Sequence, residues 1–155
     1  MHEPVTLRRA TPDDWRAYRA LRLRSLELAP DAFGSTLDAE SPQPDEWWRG
    51  RLATSHTLLA EVDGVAVGIG TGIRDRHEIG SREIVGLWVE PEFRGRGIAR
   101  EMIETLAVWA RDAAAHAIAL WVSDGNPARS VYERAGFVAT DERDVVRGTL
   151  MEERM

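Results

Sequence analysis

A chain of 155 residues is the size of one domain, and 43% apolar with 30% charged side chains is the composition of a folded protein rather than a disordered one. Twenty basic side chains, all arginine, against twenty-six acidic ones leave a net charge of −6, which argues against a sequence-blind grip on nucleic acid or an anionic membrane. The absence of cysteine excludes disulfides, a thiolate nucleophile and zinc–cysteine sites, and four scattered histidines without an HxxxH pair give no expectation of a metal.

The first residues, MHEPVTLRRA, hold no apolar signal core, and no run approaches the ~20 residues of a membrane span. Cytoplasm is therefore the expected compartment. Residues 5–8 alternate as a short strand. Thr11, Pro12, Asp13 and Asp14 then open a helix: Thr11 suits the cap, Pro12 the first turn, and the acids its positive end. Trp15, Tyr18, Leu21, Leu26 and Leu28 form its apolar stripe, which ends at Pro30. Arg16, Arg19, Arg22 and Arg24 read as its solvated face. Residues 30–44 read as an irregular connection, and 45–53 as a second helix carrying Trp47 and Trp48. Strands over 57–61 and 65–73 flank an Asp63-Gly64 turn, a hairpin signal. A further strand spans 83–89 and a helix 97–115, with Ile98, Met102, Ile103, Leu106 and Trp109 on one side. The apolar run 117–122 reads as a buried, parallel strand. A short helix over 127–134 and closing strands over 137–140 and 145–151 complete a mixed α/β domain covering residues 1–155. The unit from 83 to 122 is a right-handed parallel crossover.

Residues 89–99, VEPEFRGRGIA, carry the strongest chemical signal. A strand ends, a turn with two glycines follows and a helix begins. The free N–H groups and positive dipole at such a helix start make an anion site. Gly95 and Gly97 let the backbone approach a ligand closely, and Arg94, Arg96 and Arg100 add charge. A P-loop is excluded because the chain has no lysine, and a dinucleotide fingerprint lacks its third glycine, where Arg100 stands.

The segment Arg94-Gly95-Arg96-Gly97-Ile98-Ala99 resembles the [RQ]-x-x-G-x-[GA] signature of the GNAT superfamily, the GCN5-related N-acetyltransferases. Leu87-Trp88-Val89 with Pro91 looks like that family's strand entering the loop. The block from Asn126 through Tyr132 to Gly136-Phe137 resembles its N-x-x-A-x-x-x-Y-x-x-x-G-F segment. Leu21-Arg22-Leu23-Arg24 and the stretch from Ala29 to Ser35 are also similar to many members. The resemblance spans nearly the whole chain.

It implies a central, mixed but mostly antiparallel sheet flanked by helices, with two parallel central strands splayed apart. It also implies acetyl-coenzyme A as cosubstrate. The backbone from Arg94 through Gly95, Arg96, Gly97 and Ile98 to Ala99 would receive the pyrophosphate. Leu87, Trp88 and Val89 would border the pantetheine arm, which pairs with the free strand edge as an added strand does. An N–H near Val89 would stabilise the developing oxyanion. Asn126 and Arg129 would complete the cofactor contacts, and Tyr132 would return a proton to the departing thiolate.

An alkyl ammonium has a pKa near ~10.4, so the acceptor amine must lose a proton before attack. Glu83, eleven positions before Arg94, is the candidate base. Strict alternation puts it on the face of Val85, Leu87 and Val89. The alternative is a strand-end carboxylate paired with Arg82 or another arginine, and Glu90 is a second candidate. Phe33, Trp47 and Glu83, with Asp38, Glu40 and Trp48, are candidate acceptor contacts suited to a cationic amine. The acceptor is an amine on a small molecule or a protein. A homodimer is an assembly common in the family, though no interface signal stands in the sequence. A non-catalytic acyl-coenzyme A sensor of the same fold is the competing reading.

Overall fold

The computed structural model describes residues 3–123, 125–146 and 150–155. Seven strands line up in the order β1-β2-β3-β4-β5-β7-β6. They are β1 (Val5–Arg9), β2 (His56–Val62), β3 (Val65–Arg74), β4 (Ser81–Val89), β5 (Ala117–Ser123), β6 (Arg143–Val146) and β7 (Leu150–Arg154). The helices are α1 (Trp15–Leu28), α2 (Leu37–Glu40), α3 (Asp45–Thr54), α4 (Ile98–Asp112) and α5 (Arg129–Arg134). Among the described residues only β4 and β5 pair in parallel, across the α4 crossover, so the sheet is mixed and mostly antiparallel.

The β2–β3 hairpin turns at Asp63 and Gly64, both at positive φ (51° and 77°), as a two-residue turn matched to strand twist requires. Along β3 the glycines Gly68, Gly70 and Gly72 alternate on one face and let α4 lie close. A Cβ at Gly72 would collide with the Trp109 ring. On this face Met102, Ile103 and Leu106 pack over Leu58, Ala60, Ile84 and Val89. The opposite face buries Leu59, Ile69 and Trp88 under Tyr18, Leu21, Leu26, Trp48 and Leu52 of α1 and α3. Each such side chain contributes about 1.5–3 kcal/mol on burial.

The feature that positions the site is an incomplete pairing. β4 meets β5 only from Ser81↔Ala117 to Ile84↔Leu120. Beyond that point β4 stays with β3, pairing Trp88 with Ile69 and Val89 with Gly68, while Trp121–Ser123 of β5 turn to β7. The two parallel strands therefore diverge, as the family resemblance implied.

Several expectations need correction. Leu28 is 51% exposed and leaves the stripe of α1, because the helix ends there. The helix arginines are not one solvated face: Arg22 is buried, and Arg24 reaches Glu90. The connection 30–44 contains a 3-10 turn at Pro30–Ala32 and α2, whose Thr36 accepts a capping bond from Ala39 N–H at 3.1 Å. Residues 137–140 form no strand. Phe137 packs edge-on against Tyr132 at 6.4 Å, and Thr140 donates its N–H and hydroxyl to the Arg154 carbonyl while its hydroxyl oxygen accepts from Glu142 N–H at 3.3 Å. The strand expected over 145–151 divides instead into β6 and β7, paired antiparallel from Arg143↔Glu153 to Val146↔Leu150, and its positions 147–149 lie outside the described residues. Arg154 ties β7 to the β3–β4 connection through Asp75 and Glu78.

Candidate active site

The divergence of β4 and β5 opens a cleft of about 1700 Å³, larger than the roughly 300–1,000 Å³ of an ordinary ligand pocket. Leu87 and Val89 line one wall, and Leu120, Trp121 and Ser123 the other. Glu90 N–H donates to Val67 O of β3 at 2.8 Å. Ladder bonds alternate along a strand, so the N–H of Val89 turns away from β3, toward the gap. The Val89 carbonyl accepts from Arg94 Nε at 3.0 Å. The Arg94 guanidinium then lies 4.6 Å over the Trp88 ring.

At the end of β4 the chain passes Gly95 (φ +78°) and Gly97 (φ +81°) before entering α4. At both glycines the space a Cβ would enter is open, with nothing within 4 Å. Gly97 is the left-handed cap of α4, and the first N–H bonded within that helix is that of Glu101, to the Gly97 carbonyl. The amides before it are free for a ligand, and Gly95, Gly97, Ile98, Ala99 and Arg100 face the cleft. Arg96 does not. Its guanidinium lies 4.8 Å over Phe93 and meets Glu3 at 3.4 Å.

On the other side, Asn126 Oδ1 accepts from Ala128 N–H at 2.9 Å and sets the turn that starts α5. Tyr132 of α5 lines the cleft, packed against the α4 side of the core. Burial pushes its phenol up to about 12, so it stays protonated at neutral pH. Arg129 lies outside the lining and approaches Glu133 at 3.8 Å, while Arg134 lines the cleft.

Glu83 is 1% exposed and borders the cleft. Its carboxylate is held by Arg76, with Nη2 at 2.6 Å, Nε at 3.2 Å and the backbone N–H at 3.3 Å, so the partner is Arg76 and not Arg82. Its expected face is also wrong beyond Val85. The ladder pairs Thr71 with Val85 but Ile69 with Trp88, and Gly86 takes φ +62°. This bulge reverses the alternation. Leu87 and Val89 turn to the α4 face, and Trp88 takes the Glu83 side. Glu90 is clasped by Arg24 at 2.7 and 2.8 Å, a strut between α1 and the end of β4, and is not among the cleft residues. Phe33, Trp47 and Glu40 line the cleft; Asp38 and Trp48 do not.

The sequence reading missed Arg22, Arg51, Arg76, His77 and Trp121, all at the cleft. Arg22 had a usable signal: it follows Tyr18 by one helical turn and so shares the buried face. Among the described lining residues the charged groups are Arg22, Arg51, Arg76, Arg94, Arg100, Arg134, Glu40 and Glu83, a basic cleft in an acidic protein. No cluster of metal-ligating side chains occurs among the described residues, and no helix there is long and apolar enough to cross a membrane.

A parallel pair that parts beyond Ile84 and Leu120, followed by a left-handed glycine cap on α4, is the arrangement that the GNAT resemblance implied. Residues 18–137 match the acetyltransferase (GNAT) family, and the chain belongs to that family. An uncharacterised N-acetyltransferase of Methanocaldococcus jannaschii is 38% identical over 69 residues; the match covers 44% of this chain and 29% of that relative. An N-acetyltransferase of Staphylococcus aureus Mu50 superposes with a TM-score of 0.80 at 17% identity, covering 98% of each chain. YncA of Salmonella typhimurium, solved with its cofactor acetyl-CoA, gives 0.75 at 22% identity over 98% of this chain and 93% of that one.

Proposed function

We propose that the protein transfers an acetyl group directly from acetyl-coenzyme A to a primary amine. The observation that carries this reading is the parting of β4 and β5 beyond Ile84 and Leu120, beside the open glycine corner at Gly95 and Gly97. The residues fit the cosubstrate. Free amides at the start of α4, with Arg94 and Arg100 near them, suit a pyrophosphate, and the exposed edge of β4 suits the pantetheine amides. Bound there, acetyl-coenzyme A supplies the activated acetyl group.

The chain's own groups do the rest. The Val89 N–H donates to the acetyl carbonyl oxygen as negative charge develops on it. Glu83 receives the amine's proton through ordered water, its carboxylate kept in place by Arg76. Tyr132 delivers its phenolic proton to the sulfur, and no described group hydrogen-bonds that hydroxyl in competition. Phe33 and Trp47 border the acceptor end. YncA having been solved with acetyl-CoA supports the cosubstrate. Thiol release from acetyl-coenzyme A over a panel of amines tests the reading: amine-dependent release is expected, whereas a sensor of the same fold binds the cosubstrate and releases none.

A further inference from the structure

Arg22 enters the cleft from α1 with its side chain only 7% exposed. Its Nε and Nη2 donate to the two Glu40 oxygens at 2.9 and 2.8 Å, a bidentate pair that fixes the plane of the guanidinium. Its remaining nitrogen, Nη1, donates to no described group. That nitrogen lies against the bulge of β4, where a Cβ on Gly86 would stand 3.4 Å from it. Glu40 is also shared with Arg51, whose Nη1 donates to Oε1 at 3.2 Å. One carboxylate thus serves two guanidinium groups, while Glu83 and Arg76 balance each other. At this end of the cleft the described guanidinium groups outnumber the described carboxylates by one, and the oriented N–H pair on Arg22 Nη1 has no described partner.

We infer that the acceptor is a small amine that also carries a carboxylate, and that Arg22 Nη1, backed by Arg51, receives that carboxylate at the Gly86 bulge. This rests on the acetyltransferase reading and narrows the expectation of contacts suited to a cationic amine. The ammonium end of such a zwitterion meets Glu83, and the anionic end meets the surplus guanidinium. Arg22 does so without reorganising, because Glu40 already holds it.

Matched sets test this: α-amino acids, their carboxamides, and the amines left when the carboxylate is replaced by hydrogen. Binding to the protein saturated with coenzyme A is measured by calorimetry, and thiol release from acetyl-coenzyme A in parallel. The amino acids are expected to bind about ten- to a hundredfold more tightly than either partner, the range for a charge-assisted hydrogen bond. Equal binding across each set, or no binding of any amino acid at millimolar concentration, overturns the inference. Carboxylate-selective binding with no thiol release by any member sinks the acetyltransferase reading and leaves the carboxylate site standing. The double variant Arg22→Met/Glu40→Gln removes both members of the buried pair together, leaving only the partly exposed Arg51 without its carboxylate. It is expected to keep coenzyme A affinity and lose the preference for the acid. Retained preference counts against Arg22, and the comparison on the unaltered protein stands even where that variant does not fold.

Discussion

Glu83 and Leu87 lie on the same strand at even spacing, yet their side chains emerge on opposite faces of the sheet, because β4 bulges between Val85 and Trp88. The bulge aims Glu83 and Trp88 toward α1, turns Leu87 to the α4 side and brings Arg22 against the backbone at Gly86. At Gly86 the φ of +62° disfavours any residue with a Cβ. Gly86→Ala is expected to lower unfolding free energy by about 1–2 kcal/mol, the cost of a left-handed alanine. An unchanged urea midpoint would show that the bulge is absent in solution.

Tyr132→Phe is expected to lower turnover by about a hundredfold or more while coenzyme A affinity stays near that of the parent. Since burial pushes the phenol up to about 12, its loss as an acid is expected only above pH 11 or so. Unchanged turnover in the variant removes the tyrosine from the chemistry. The same shift has a stability sign. The folded pKa stands above the unfolded value of about 10, so this contribution is intact below pH 10 and is lost as pH rises toward 12.

Gly97→Glu is expected to weaken coenzyme A binding strongly, since it sets bulk and negative charge in the open space at the α4 cap. Gly97→Ala is the control: nothing lies within 4 Å of the added Cβ, so only backbone strain is introduced. Calorimetric titration with coenzyme A separates the two, and equal affinity in the glutamate variant contradicts the phosphate assignment.

Glu83→Gln is expected to reduce rate, with partial recovery at higher pH as more amine is already neutral. A pH profile of kcat/KM matching that of the parent assigns the proton transfer to another group. Arg76 would then be holding a structural carboxylate.

Asp14 accepts from Arg8 at 2.8 and 2.9 Å and from the Thr11 N–H at 2.8 Å. The Arg8 hydrogen bonds, more than any other contact, hold its carboxyl at about 2, below the usual 3.8 of an aspartate. Its stabilising effect is therefore complete above about pH 4 and disappears as pH falls through about 2. Asp14→Asn is expected to lower the melting temperature at neutral pH and to flatten its decline between pH 4 and pH 2. A parallel decline in both proteins refutes the coupling.

Local chemistry made much of this legible. The Asp63-Gly64 hairpin, the α4 stripe from Ile98 to Leu106 and the glycine turn before it depend on neighbours within a few residues, and each stands where the periodicity placed it. Tyr132 and Asn126 both line the cleft, and one short motif spans them. The closing segment was misread because β6 and β7 are shaped by pairing with each other and with β5.

The order of elements, the anion-ready helix start and membership of the acetyltransferase family are written in local pattern and spacing, which persist in the unfolded chain. The partner of Glu83, the burial of Arg22 by Glu40 and the inverted alternation of β4 depend on groups distant in sequence. Their energies exist only once the sheet and α1 meet, so no window along the chain contains them.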